Sequence, residues 1–439
     1  MVGIRHTKTK SKDKNRSATI IPRTDHCISR ANISPNALKV LYRLHEAGHA
    51  AYLVGGSVRD LLLGLKPKDF DIATDAHPEK IKSLFRNCIL IGKRFRLAHI
   101  RYGREIVEVA TFRASQETEH RDHVKSEQGL ILRDNVYGTI PEDAFRRDFS
   151  VNALYYNIAD FSVVDYCEGM ADLQHKILRL IGDPVKRYHE DPVRLLRAIR
   201  LAGKLGFTID HQTATPITSL VHLLQHISPA RLYEETLKLF LCGNAVAVFN
   251  LLYHYKLFGI LFPETDKILH TENEFKIPAT LFIDTALKNT DHRLAEAKHV
   301  TPIFFLAVLL WYPLQQELKG LKKLDTFVMD RTADKLIAKQ VRHTAIPRKI
   351  SAGMREIWTL QLRLARPQLR SIHRLLAHQR FRAAYDFLLL RSVADGSLNE
   401  LAQWWTTIQT VDESLRENMV KDWQEKHVKV KKPTRKRKK

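Results

Sequence analysis

The doublet Gly55-Gly56 closes one apolar run, Ala50 to Val54, and opens another, Ser57 to Leu63, whose apolar residues recur at helical spacing. A strand, a tight glycine turn and a helix account for that change of period, and the glycines let backbone approach a ligand closely. Four residues past the helix comes Lys68-Asp69-Phe70-Asp71-Ile72. Residues two apart on a strand share a face, so Asp69 and Asp71 are expected to point together while Phe70 and Ile72 turn to the core. Taken alone the turn is an ordinary loop, and an Asp-x-Asp is common. Together they read as a nucleotide-and-metal site: Gly55, Gly56, Arg59 and Asp60 cradle the nucleotide, and the paired carboxylates hold divalent cations against its triphosphate. Two ions about 3.5 to 4 Å apart would activate an attacking hydroxyl and neutralise a departing pyrophosphate.

The predicted helix Asn36 to His45 and the strands Ala50 to Val54, Phe70 to Ala73, Ile89 to Ile91, Leu97 to Arg101, Ile106 to Phe112 and Phe149 to Tyr156 make an α/β head, interrupted by a polar loop from Ser115 to Gln128. From about Glu168 onward strand patterns cease and helical spacing takes over, as in Val193 to Leu205, Ala230 to Leu241, Ile303 to Leu310 and Phe381 to Leu390. With 439 residues the chain exceeds what one core usually serves, so several domains are expected. The division is a basic extension 1–30, a catalytic head 31–167, a helical neck 168–245 that recognises the base, a helical body with an RNA-binding C-terminal region 246–425, and a disordered basic tail 426–439.

A third carboxylate must stand near the pair, to share a metal or to take the proton of the incoming hydroxyl. Asp148, in Arg146-Arg147-Asp148-Phe149, is the first candidate, with Arg147 suited to a phosphate; Glu108, on the neighbouring predicted strand, competes with it. The run Glu190-Asp191-Pro192-Val193-Arg194 starts a helix, with Asp191 as N-cap and Pro192 as first helical residue. On that helix Arg194, Arg197, Arg200 and Lys204 share a basic face, leaving Leu196 and Ile199 for burial. If that face lines the cleft, Asp191 accepts from an exocyclic amine and Arg194 donates to the adjacent ring nitrogen. Adenine and cytosine present that edge, guanine and uracil do not, and the pair cannot separate A from C.

The formal charge is +23. The first sixteen residues hold six Lys/Arg against one Asp, and the last eleven hold eight Lys/Arg and no acid, which leaves +10 on the body. Such a field favours a polyanion, nucleic acid first, and Lys431, Lys432 and Arg435 of the tail are RNA-binding candidates. Arg363, Arg366 and Arg370 are others; Trp358, Phe381 and Tyr385, interleaved with the arginines of that region, are either stacking platforms or ordinary core. Four scattered cysteines without a CxxC pair indicate neither a zinc cage nor a disulfide framework and fit a reducing cytoplasm. The best apolar run, Ile303 to Tyr312, is too short to span a membrane.

These motifs, with Ile20-Ile21-Pro22-Arg23 and Phe381-Arg382-Ala383-Ala384-Tyr385-Asp386, resemble the class II branch of the polymerase β-like nucleotidyltransferases, which holds CCA-adding enzymes and bacterial poly(A) polymerases. The segment Ile91-Gly92-Lys93-Arg94-Phe95-Arg96-Leu97-Ala98-His99-Ile100 is similar to the poly(A) polymerase form, whereas CCA-adding enzymes usually carry a histidine-glycine-threonine signature there. The resemblance covers nearly the whole chain. It implies an α+β fold, with a small mixed-sheet head followed by an all-α neck, body and C-terminal region. It also implies Asp69 and Asp71 as ligands of Mg²⁺ or Mn²⁺, Asp148 as third catalytic carboxylate, and Asp191 and Arg194 as base readers, with Arg197 beside the nucleotide. The implied function is template-independent addition of AMP from ATP to RNA 3′ ends by a cytoplasmic monomer, with RNA-decay machinery or an RNA chaperone as partner. The alternatives are a tRNA CCA-adding enzyme and a non-catalytic RNA-binding protein on the same scaffold.

Overall fold

The computed structural model describes residues 17–92, 96–114, 124–125, 131–133, 136–321 and 323–428. The basic leader 1–16, Lys93-Arg94-Phe95, most of the predicted loop Ser115 to Gln128, and the tail with Lys431, Lys432 and Arg435 lie outside the described residues. The chain divides into two compact units, residues 1–217 and 218–439, so the predicted neck 168–245 is shared between them.

The first unit is built on an eight-stranded mixed sheet. Its strands include β1 (Thr19–Ile21), β2 (Ala51–Val54), β3 (Asp71–Thr74), β4 (Cys88–Ile91), β5 (Leu97–Tyr102) and β6 (Glu105–Thr111), completed by Leu154–Asn157 and Val163–Asp165. Across the sheet the order is β1, Val163–Asp165, Leu154–Asn157, β2, β3, β6, β5, β4. Every neighbouring pair is antiparallel except β3 with β6, which run parallel.

Alternation along the strands separates two apolar layers. Leu53, Ile72, Val107, Val109, Ala98 and Ile100 pack against Val40, Leu41 and Leu44 of helix α1 (Pro35–Glu46) and against Val58 and Leu61 of helix α2 (Gly56–Leu62). On the other face Val54, Ala73 and Tyr155 pack with Ala144 of the helix Ile140–Arg146. Leu53, Val40, Leu41 and Leu44 are each fully buried, a contribution of about 1.5 to 3 kcal/mol per side chain.

Three sequence expectations need correction. The strand set from Phe149 begins only at Leu154, because Phe149 instead bridges to Leu180, Ser150 donates to the Arg179 carbonyl and Ser150–Asn152 coils into a 3₁₀ turn. β3 begins at Asp71, so Asp69 stands in the lead-in rather than on the strand, although Phe70 is half buried and Ile72 fully buried as the alternation requires. Asp191 is not the N-cap of the helix Val193–Leu205. It ends the preceding helix Pro184–Glu190, and Pro192, already in helical conformation, takes the cap position.

The described part of the second unit is helical throughout. Trp358 and Trp405 are fully buried and donate their indole N–H groups to the carbonyls of Ala307 and Leu364. Phe381 and Tyr385 belong to the core that holds Trp405. The aromatics weighed as stacking platforms are therefore core residues, buried because their spacing follows the apolar stripe of their helices.

Candidate active site

A row of directly paired residues crosses the sheet on one face: Tyr155, Val54, Asp71, Glu108 and His99. Val54 and Tyr155 lie under the helix Ile140–Arg146, while Asp71, first residue of β3, opens to solvent at the rim. Gly55 follows Val54 with φ +73° and ψ −139°, a backbone that residues with a Cβ rarely adopt. A Cβ there would lie 3.6 Å from Arg147 Nη1 and 3.9 Å from Asp71 Oδ2, so Gly55, Arg147 and Asp71 border one recess.

Surrounding protein and the neighbouring Glu108 push the Asp71 carboxyl up to about 6, with Asp69 adding to the repulsion and Arg147 opposing it. Glu108 in turn lies 3.2 Å from His99 Nε2. Three carboxylates thus crowd one rim, with the Arg147 guanidinium beside Asp71.

Arg147 is rigidly held. Its Nε and Nη2 donate to Asp143 at 3.2 and 3.0 Å, its Nε also to the Tyr155 hydroxyl at 2.8 Å, and that hydroxyl donates to Asp143 at 2.6 Å. Burial works against its charge, but Tyr155 and Asp143 more than offset burial and raise its pKa above the ordinary arginine value. With Nε and Nη2 bound from behind, Nη1 is the nitrogen turned to Gly55 and Asp71. Asp143, four residues before Arg147, was within reach of sequence reasoning as an i,i+4 partner. Tyr155 was not, since its role exists only once its strand lies beside β2.

Asp148 is placed differently from the pair it was expected to join. Its Oδ1 accepts from Phe149 N at 2.8 Å and Asn152 Nδ2 at 3.2 Å, and its Oδ2 accepts twice from Arg197, at 2.7 Å from Nε. Burial alone would raise its pKa, yet Arg197 and these hydrogen bonds hold it far below the usual carboxylate range. Asn152 also accepts from Arg59, whose Nε and Nη2 grip Asp60, and Lys204 Nζ lies 3.5 Å from Asp60. Lys204 therefore ties the helix Val193–Leu205 to α2 directly, and Arg197 ties it to Asp148, which the Asn152 amide links to Arg59 of α2. The predicted basic wall is largely neutralised, and Arg59 and Asp60, both buried, face each other rather than the recess. Arg194 donates through Nη1 to Glu190, 2.9 Å away, and to the Arg187 carbonyl, while Asp191 accepts weakly from Val193 N at 3.4 Å.

Gly55, Asp69, Asp71 and Arg147 thus come together, and Glu108 joins them. Arg363, Arg366 and Arg370 lie in the second unit. Among the described residues no group of three or more His, Cys, Asp or Glu is preformed to hold a metal ion. The donor set nonetheless fits Mg²⁺, which binds through one or two carboxylates and completes its shell with water and substrate phosphate oxygens.

The family model for the poly(A) polymerase head domain matches residues 51–179, which contain this whole rim. Two more, for the probable RNA- and SrmB-binding site and the arginine-rich C-terminus of polymerase A, match 206–269 and 319–439. The chain is 49% identical to poly(A) polymerase I of Salmonella typhi over 402 residues, 89% of this chain and 86% of that one. The chain belongs to the poly(A) polymerase I family. It is accordingly an enzyme, an adenylyltransferase. A CCA-adding enzyme of Lactobacillus helveticus is 41% identical, but over only 46% of this chain. The fold of the Bacillus stearothermophilus CCA-adding enzyme, solved with CTP, superposes with a TM-score of 0.57 at 24% identity, covering 84% of this chain and 81% of that one. Poly(A) polymerase I and the CCA-adding enzymes thus share a fold, and the extended sequence match is to the former.

Proposed function

We propose that Asp69, Asp71 and Glu108 form the carboxylate rim at which AMP passes from ATP to an RNA 3′ hydroxyl with release of pyrophosphate. The observation that carries this is the crowding of Asp71: it pairs across the sheet with Glu108, borders one recess with Gly55 and Arg147, and its carboxyl is pushed up to about 6 by the surrounding protein, Glu108 and Asp69. Bound divalent cations would relieve that repulsion and supply the activation of the hydroxyl and the neutralisation of the leaving group. Asp69 and Asp71 are the residues that would hold them. Arg147 Nη1, fixed by Asp143 and Tyr155, donates to a phosphate oxygen in the recess, and Gly55 leaves room for it. Of the two candidates for third carboxylate, Glu108 has the position beside Asp71, and Asp148 acts through Arg197 as a positioning residue.

Asp191 and Arg194 remain our proposed base readers, with Arg194 oriented by Glu190. A protein partner from RNA decay and a cytoplasmic location belong to the same proposal; among the described residues no helix is long and apolar enough to cross a membrane.

The test supplies Mg²⁺ and each nucleoside triphosphate separately to an unstructured labelled RNA, beside a tRNA lacking its CCA end given ATP and CTP. A ladder with ATP alone is expected. Three additions confined to the tRNA would reassign the chain to CCA addition.

A further inference from the structure

The second unit carries a recess of about 440 Å³ lined by Thr326, Phe327 and Asp330 of the helix Thr326–Gln340, by Glu356, Thr359, Leu360 and Arg363 of the helix Arg348–Leu364, and by His378. That volume suits a single nucleotide. Phe327 is the anomaly: it is 70% exposed, whereas Trp358, Phe381 and Tyr385 are buried. Arg363 makes no ion pair among the described residues, unlike Arg355, which reaches Asp330 and Asp334, and Arg380, which reaches Glu356. His378 Nδ1 accepts from Arg380 N at 3.1 Å, so a neutral imidazole carries its proton on Nε2 and offers a donor.

We infer that this recess binds one unpaired adenine of an RNA strand, with the base stacked on Phe327 and the adjoining phosphate on Arg363. Aromatic faces hold bases without regard to sequence, and a free guanidinium beside them takes the backbone. Glu356 is paired with Arg380 and Asp330 shares Arg355 with Asp334, so these arginines offset part of the acids' charge, and the lone pairs that remain accept from an exocyclic amine. Uracil has no such amine and stacks more weakly. The site is therefore matched to the polymer that the proposed reaction makes, and the inference rests on that reading for its ligand.

The experiment is fluorescence anisotropy of labelled oligoadenylate and oligouridylate with the full chain in EDTA, without ATP. Phe327→Ala is expected to weaken oligoadenylate binding about tenfold and oligouridylate much less, with Phe327→Trp restoring it. Arg363→Ala is expected to weaken both and to flatten the salt dependence. In steady state with saturating ATP, Phe327→Ala raises the KM for an oligoadenylate primer and leaves kcat unchanged. Unchanged oligoadenylate binding by Phe327→Ala, or equal losses for the two polymers, overturns the inference. Absence of AMP incorporation by the wild-type chain, with Phe327-dependent binding intact, would instead sink the proposed reaction and spare the subsite.

Discussion

Asp71 is a carboxylate whose charge the fold resists, and that resistance has a pH signature. A carboxyl raised from its ordinary value to about 6 favours the protonated form in the folded state, so its contribution to stability is complete below the unfolded pKa and is lost as pH rises through 6. In EDTA, Asp71→Asn should therefore melt higher than wild type at pH 7.5, by the equivalent of about 1 kcal/mol once solvent screening is allowed for, and match it near pH 4. Calorimetry at both pH values checks the sign. For activity the sign reverses: Asp71→Ala is expected to lower AMP incorporation on the order of 10³-fold, the scale of losing a group that stabilises transition-state charge. Glu108→Gln and Asp148→Asn separate the two candidate third acids. The first should lower kcat with the melting temperature kept. The second should cost about 1 to 3 kcal/mol of stability, because it removes the negative charge that Arg197 Nε and Nη2 meet in the buried pair. A fully stable, inactive Asp148→Asn would return that residue to the metal rim.

At the level of elements, the turn between β2 and α2 sets the geometry of the recess. Gly55→Ala forces a Cβ into a positive-φ backbone and should cost about 1 to 3 kcal/mol, read as a lower urea midpoint, and should weaken ATP binding by filling the space beside Arg147 Nη1. Much of this was legible in the residues. The alternation in Ile106 to Phe112 and Leu97 to Arg101 anticipated β6 and β5 within a residue at each end, and Val193 to Leu205 matched its helix, because long periodic runs constrain their own boundaries. Thr19–Ile21 and Val163–Asp165 escaped notice, since three residues cannot display a period. The charge relations were the illegible part. Nothing in the order of residues says that Arg197 meets Asp148 or that Lys204 meets Asp60; the first pair arises only where the helix Val193–Leu205 meets the chain just after Ile140–Arg146, and the second only where it meets α2.

For the whole molecule the charge of +23 dominates encounter with RNA. Each phosphate neutralised adds about −0.7 to the slope of log affinity against log salt on single strands. Truncation after His427, which removes eight basic residues, should make that slope shallower while leaving kcat on saturating primer unchanged. A titration series from low to high salt decides this, and an unaltered slope would show that the tail stays off the RNA.

The parallel pairing of β3 with β6 carries a consequence in time rather than in space. Asp71 and Glu108 become neighbours only after β4, β5 and the chain between them have turned back on themselves, whereas β5 and β6 can zip through a two-residue turn. Pairings distant in sequence close late. In refolding from urea, nucleotide incorporation is expected to return after most of the circular dichroism has recovered, so that a newly made chain holds its shape before its acids have met.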